Sequence, residues 1–517
     1  MSGYLLWPIM FCAFGLLFTA LELLRPARPL SYRAVLKNDL AALAIYGLLF
    51  LPLSHHTANL GSARRSPLRI WTLLVAPLRG GRALSTAGRR STVAATPGRP
   101  TMSRPKSALV FTVIVALLAG LASRATPADP IRIAYIDPLS GPFAATGENG
   151  LNQFKYAADA INKAGGVLGR QIEIVPLDNK VSPQESLIQL KKVIGDGIPF
   201  VFQGNSSGVA HAISDAVQKH NERNAGNRVL YLNYSAVDPA LTNEKCHFWH
   251  FRFDAHADMK MAALTDVIAV NKSIKKLYII GQDYSFGKAV AEAAVAMLGK
   301  KRPDIQIVGN ELHPIGKVKD FSPYVQKIVA SGADAVITGN WGADMIALAK
   351  AANDGGLKVP FYTYYAASDG VTAAIGAAGI DRIRLVHESH PGNLNAPKAL
   401  SDYIVGYRKL HPQNDVNQPR INTGLNMLAQ AIKRAGTTDV DKVAAALEGA
   451  EFTNLSGDQL VMRREDHQLQ MPIYISVHTN KNIKHDLDAS GFGLSLESKI
   501  DRDKATQPST CKMQRPS

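Results

Sequence analysis

From Ile131 onward, short runs of β-branched and other apolar residues alternate with longer stretches in which apolar positions recur at helical spacing. The apolar runs at 131–136, 171–177, 199–202, 229–232, 276–280, 305–308, 335–338, 361–364 and 383–387 predict strands. Helical periodicity over 151–163, 183–194, 209–219, 259–271, 289–298, 323–330 and 343–353 predicts the crossovers between them, with further helices at 397–410, 423–435 and 440–447. Each crossover is long enough to return the chain to a parallel neighbour. The pattern therefore predicts an α/β fold of doubly wound parallel sheets. The stretch from Asp129 to the end exceeds one comfortable core, so two lobes are expected. Late apolar runs at 459–463 and 471–477 predict a terminal hairpin on the second lobe.

The first part of the chain follows other rules. Apolar runs at 5–24 and 40–53 precede an Arg-, Gly- and Ser-rich segment without periodicity, and the first of them is long enough to cross a bilayer. Met102 then opens a second beginning: Arg104 and Lys106, an apolar run over 108–122, and small residues at Ser123, Ala125 and Ala128. That order is the order of a secretory signal peptide over 102–128, with cleavage after Ala125 or Ala128. Export signals are read at a chain's start, so the expectation is that Met102 is the physiological start and 1–101 a mis-called or fused upstream frame. A genuine 1–101 extension would tether the protein to a membrane.

Charge sharpens this division. Residues 1–101 carry twelve Arg and Lys against Glu22 and Asp39, and 102–128 add Arg104, Lys106 and Arg124, which leaves only +3 of the total +16 for the body. A basic surface for nucleic acid is therefore not expected. The three cysteines, at 12, 246 and 511, are too few and too far apart for a zinc cluster. In an oxidising compartment Cys246 and Cys511 are a candidate disulfide; two unrelated thiols are the other reading. His247, His250 and His256 fall in or beside 246–253, whose alternation reads as a half-buried strand rather than a metal site. The glycines of Gly165-Gly166-Val167-Leu168-Gly169 end a helix instead of opening one after a strand, so they are not a phosphate loop. No GxSxG elbow or paired-carboxylate set is legible, and neither an enzyme nor a cofactor is expected.

In open α/β sheets, ligands sit beyond the C-terminal ends of the strands. That selects Ser206 and Ser207, which open a helix after the run at 199–202, where hydroxyls and free N–H groups suit a carboxylate or simply cap the helix. It also selects Ser235 and Ala236 after 229–232, and Trp341 after Gly339-Asn340. Asp369, close before the helix expected near 371, is a candidate helix cap.

Six motifs fall in a familiar order: Ile131-Arg132-Ile133-Ala134 with Asp137-Pro138-Leu139-Ser140-Gly141-Pro142; Ala160-Ile161-Asn162-Lys163-Ala164-Gly165-Gly166-Val167-Leu168-Gly169-Arg170; Gly204-Asn205-Ser206-Ser207; Asp238-Pro239-Ala240-Leu241-Thr242; Phe251-Arg252-Phe253; and Asp283-Tyr284-Ser285-Phe286-Gly287. In these, 129–482 resembles the periplasmic substrate-binding proteins of branched-chain amino acid ABC importers, leucine-binding-protein-like type I periplasmic binding proteins. The resemblance implies two lobes joined by three crossings over 129–490, lobe one from 129–253 and 391–450, lobe two from 254–390 and 451–490, and a C-terminal tail over 491–517. It implies a carboxylate held at Ser206 and Ser207, aromatic pressure on the ligand from Phe286 and Trp341, and an ammonium partner in Asp369. Val237 stands where amino-acid-binding members have a threonine, so Ser235 is expected to compensate. Thr146 stands where some members have an aromatic lid. The implied partners are a small amino acid or related carboxylate and an inner-membrane ABC permease, served by a periplasmic monomer. Aromatic carboxylates, amides or urea are the alternative ligands, and a ligand-sensing regulator is the alternative class.

Overall fold

The computed structural model describes residues 129–390 and 395–516. The expected extension over 1–101 and signal peptide over 102–128 lie outside the described residues.

The first sheet is built from β1 (Ile131–Asp137), β2 (Ile172–Asp178), β3 (Phe200–Gln203), β4 (Leu230–Asn233) and β5 (His250–Arg252). Its order is β2-β1-β3-β4-β5 and every pairing is parallel. Helices α1 (Ala144–Lys163), α2 (Pro183–Gly195) and α3 (Ser207–Arg223) make the crossovers. β3 and β4 are buried along their whole length, which is why they read as unbroken apolar runs. α2 starts where the sequence says it must, with Ser182 Oγ accepting from the Glu185 N–H and Pro183 in the first turn. α1 stops at Gly165-Gly166: Gly166 has φ 73°, and a Cβ there would stand 2.1 Å from the Arg170 carbonyl oxygen.

The second sheet contains β6 (Lys276–Gln282), β7 (Gln306–His313), β8 (Ala335–Thr338), β9 (Phe361–Thr363) and β10 (Ile383–His387). They run parallel, and two late strands, β14 (Ile473–Thr479) and β15 (Gly493–Ile500), add antiparallel at one edge to give the order β15-β14-β10-β9-β8-β6-β7. Helices α4 (Ala257–Val270), α5 (Ser285–Lys301), α6 (Ser322–Ser331), α7 (Gly342–Asp354) and the short α8 (Val371–Ile375) belong to this lobe. The chain then returns to lobe one: Tyr403 and Tyr407 of α9 (Lys398–Leu410) pack edge-on against Tyr156 of α1, and α10 (Arg420–Ala435) lies against α1 and α11 (Val440–Leu447). It crosses between the sheets after β5, after β10 and again before β14.

Three expectations are corrected. The runs at 459–463 and 471–477 do not pair with each other: β12 (Gln459–Met462) pairs with β11 (Glu451–Thr453) and β13 (Leu469–Gln470), while β14 sits between β10 and β15. The span 491–517 is not all tail, because β15 occupies 493–500; as an edge strand with one exposed face, it has the short apolar content of a loop. The stretch 246–253 contains a strand only at 250–252, since turn bonds from Cys246 N to Asn243 O (3.1 Å) and His250 N to His247 O (3.2 Å) fold what precedes it, and that strand is wholly rather than half buried. The chain end then crosses back to lobe one, where Cys511 is disulfide-bonded to Cys246 with their Cα atoms 5.7 Å apart. Among the described residues, no helix is long and apolar enough to cross a membrane and no cluster of His, Cys, Asp or Glu is placed to hold a metal.

Candidate functional site

The C-terminal ends of both sheets face a cleft between the lobes. Thr146, Ser206, Ser207, Ser235 and Ala236 line it from lobe one, and Phe286 and Trp341 from lobe two. Asp369 is absent from the lining.

The lobe-one wall hangs on a buried carboxylate. Asp137, at the end of β1, accepts hydrogen bonds from the N–H groups of Gly204 (3.1 Å) and Asn205 (2.9 Å) and from the Tyr234 hydroxyl (2.8 Å). Burial pushes its pKa up to about 7 although these donors pull it down. Gly204 is required, because a Cβ there would lie 2.7 Å from both Ser235 Cβ and the Tyr234 ring. The loop then turns through Ser206 at φ 79°, ψ 113°, a left-handed φ that a serine adopts at a cost. Ser206 occupies the N-cap position of α3, yet its side chain makes no capping hydrogen bond. The expected serine cap is therefore not made: a capping hydroxyl needs an extended N-cap backbone, and Ser206 does not have one. Ser207 Oγ is used inside the protein, accepting from the Asp238 N–H at 3.2 Å.

On the lobe-two wall Phe286 is edge-on to Tyr364 and Tyr365, with ring centroids 5.5 and 5.9 Å away. Trp341 Nε1 donates to the Tyr284 hydroxyl at 2.9 Å. Across the lobes the Trp341 ring meets Phe143 at 4.3 Å between centroids. A Cβ on Gly316 or Gly342 would come within 2.8 or 2.7 Å of the Phe143 ring, so lobe two is hollowed to receive it. Phe143, the residue before α1, thus ties the start of that helix to lobe two behind Trp341, while Thr146 in the first turn of α1 lines the cleft itself.

Asp369 does not cap the helix that follows it and lies outside the cleft lining, with its Oδ2 buried and without a hydrogen bond. Its Oδ1 accepts from Asn149 Nδ2 of α1, which joins the two lobes, and burial pushes its pKa up to about 7. The start of α8 is held by Asp488 instead, which accepts from the N–H groups of Gly370 (2.9 Å) and Ala373 (3.1 Å).

The structure adds charged residues that sequence spacing did not single out. Lys260, Glu388 and Arg420 all line the cleft and are almost wholly buried. Arg420 donates through Nη1 to Glu388 Oε1 (2.9 Å) and through Nη2 to Ser235 Oγ (2.8 Å), while Lys260 Nζ bonds Asp254 Oδ2 at 2.8 Å. Burial alone would raise the Glu388 pKa, but Arg420 and Lys260 outweigh it and hold the carboxyl at about 2. For Asp254, burial prevails over the same two cations and the pKa is raised. Ser235 is thus committed to Arg420 and does not simply replace the threonine missing at Val237. The sequence signal for Lys260 was a lysine set between Met259 and Met261, near the start of a helix rich in apolar residues.

His247, His250 and His256 are buried and engaged: His247 with Ser214 Oγ (2.8 Å), His250 with Asn233 (3.3 Å), and His256 as the cap of α4.

Two doubly wound lobes facing each other across a cleft at their strand ends, joined by separate crossings, define the hinged ligand-binding class of type I fold. The family model for periplasmic binding proteins matches residues 130–481, and the chain belongs to that family. It is 34% identical over 409 residues to the Leu/Ile/Val-binding protein homolog 4 of Brucella abortus, covering 77% of this chain and 96% of the relative. It is similar to the closed crystal structure of a leucine-, isoleucine-, valine-, threonine- and alanine-binding protein from Brucella ovis, with TM-score 0.67, 32% identity and coverage of 75% of this chain and 100% of that one. An ABC transporter solute-binding protein of R. palustris in complex with benzoate shares the fold at TM-score 0.64 and 18% identity, covering 74% of this chain and 99% of that one. The family is one of substrate-binding receptors, not of enzymes.

Proposed function

We propose that the protein is an exported receptor that closes its two lobes on a small carboxylate, an amino acid or a related acid, and delivers it as a monomer to an inner-membrane ABC permease. The observation that carries this reading is the loop at Ser206, held in a strained turn at the start of α3 with no side-chain cap and lining the cleft. Such a helix start offers N–H donors and a favourable dipole to a carboxylate. Thr146, Ser207, Ser235 and Ala236 complete that wall in this reading, and Phe286 and Trp341 close on the ligand's carbon frame. The likeness to the Leu/Ile/Val-binding relatives of Brucella supports an amino acid as ligand. Export through a signal peptide over 102–128, with Met102 as the start, belongs to the same reading; a peptide from 1–101 in native cell extract would contradict that start.

A specific observation favours the second reading, an aromatic carboxylate. Among the described residues lining the cleft Glu388 is the one carboxylate, and its charge is already offset by Arg420, so the site offers a ligand ammonium little net negative charge. Five aromatic side chains, Tyr284, Phe286, Trp341, Tyr364 and Tyr365, stand ready for a ring. Calorimetric titration with phenylalanine and with 3-phenylpropanoate separates the two: tighter binding of phenylalanine supports the amino acid, and tighter binding of its deaminated analogue supports the aromatic acid.

A further inference from the structure

Lys260, Gln418 and Arg420, which are 1%, 5% and 5% exposed, line the cleft with hydrogen-bonding capacity unspent. The Lys260 ammonium has three N–H groups but a single hydrogen bond, to Asp254 Oδ2 at 2.8 Å, and it lies over the Tyr365 ring at 5.1 Å. Gln418 Nε2 has no partner, although its Oε1 accepts from Arg420 Nη2 at 3.2 Å. Arg420 Nε also lacks a hydrogen bond and faces Asp254 Oδ2 from 3.5 Å. Against these donors stands one unpartnered carboxylate oxygen, Asp254 Oδ1, behind the lining.

Among the described residues that line the cleft, the buried side-chain polar atoms left without a hydrogen bond, Gln418 Nε2 and Arg420 Nε, are therefore both donors. The donors come from α4 and from the start of α10, not from α3, which begins at the Ser206 loop. An aliphatic side chain placed here would keep buried N–H groups from water without giving them a partner. An oxygen acceptor would satisfy them.

Resting on the receptor reading above, we propose that the cleft selects a ligand with a second acceptor-rich group, a carboxylate or carboxamide, which bonds Lys260, Gln418 and Arg420 while the first carboxylate occupies the Ser206 loop. Lys260 and Gln418 are then specificity-determining residues, and a purely aliphatic amino acid is a poor ligand.

Two sets of isosteres test this by calorimetric titration of the full chain: leucine, asparagine and aspartate, and 4-methylbenzoate, 4-carbamoylbenzoate and terephthalate. The expected result is that, in at least one set, a polar member binds at least about tenfold tighter than its apolar counterpart. Gln418→Met, which removes the unpartnered amide, should bring that ratio towards one, and Lys260→Met should do so more strongly. Should Lys260→Met unfold because Asp254 is left alone, Gln418→Met still decides. Tighter binding of leucine and of 4-methylbenzoate, or a ratio unchanged in Gln418→Met, overturns the inference and leaves the receptor intact. If none of the six ligands binds, both the inference and the receptor reading fall.

Discussion

Single residues explain why the cleft has the shape it has. Asp137 satisfies three donors with two oxygens, and an asparagine there would turn an NH2 group towards at least one of them. Asp137→Asn should therefore destabilise the protein by about 1–3 kcal/mol and loosen the Gly204–Ser206 loop, read as a lowered unfolding midpoint and weaker ligand binding. Asp369 makes a different prediction, because its pKa is pushed up to about 7 from an ordinary 3.8. A raised carboxyl gives its full stabilisation below the unfolded value and loses it as pH climbs through the folded one, so its contribution falls between about pH 4 and pH 7. Asp369→Asn retains the acceptor for Asn149 and should flatten that part of the stability profile. Denaturant midpoints across this range check it, and equal slopes in both proteins would contradict it. Ser206 and Trp341 were legible because strand ends expose whatever follows them. Lys260, Glu388 and Arg420 were not, since they lie on separate elements far apart in sequence and meet only in three dimensions.

At the level of elements, burial decided what could be read. Fully buried strands such as β3, β4 and β8 announce themselves as continuous apolar runs, whereas β15 at the sheet edge and the two-residue β13 do not. Helices α1 and α5 begin earlier than their apolar periodicity suggests, at Ala144 and Ser285. Their first turns carry cleft residues, Thr146 and Phe286, in place of a regular apolar stripe. The loop before α1 also carries Phe143, whose ring bridges to Trp341 across the lobes. This pair exists only when the lobes are together, so Phe143→Ala should weaken ligand binding by about two- to thirteenfold, the worth of an aromatic pair of roughly 0.5–1.5 kcal/mol. Titration of the variant checks this, and unchanged affinity would remove Phe143 from the closing surface.

For the whole molecule, the two-lobed α/β plan was legible from periodicity and motif order, while the path of the last segment was not. That segment leaves the second sheet at β15 and reaches lobe one through Cys511, which is joined to Cys246 across 265 residues of sequence. Arg515 adds a charged contact with Glu448 at 2.7 Å. A cross-link over so long a loop restricts the unfolded chain strongly, so Cys511→Ser should cost about 2–4 kcal/mol. Denaturant midpoints with and without reductant measure it: the wild type should fall to the level of the variant when reduced, and the variant should not respond.

The central claim is that the cleft closes on a small carboxylate at the Ser206 loop. Thermal unfolding of the protein against amino acids, aromatic acids and their dicarboxylate and amide counterparts tests it most directly, because a ligand at 100 times its dissociation constant adds about 2.7 kcal/mol. A clear rise in the midpoint with at least one carboxylate, strongly reduced in Trp341→Ala, is the predicted result. No rise with any carboxylate, or a rise that Trp341→Ala leaves untouched, would contradict it.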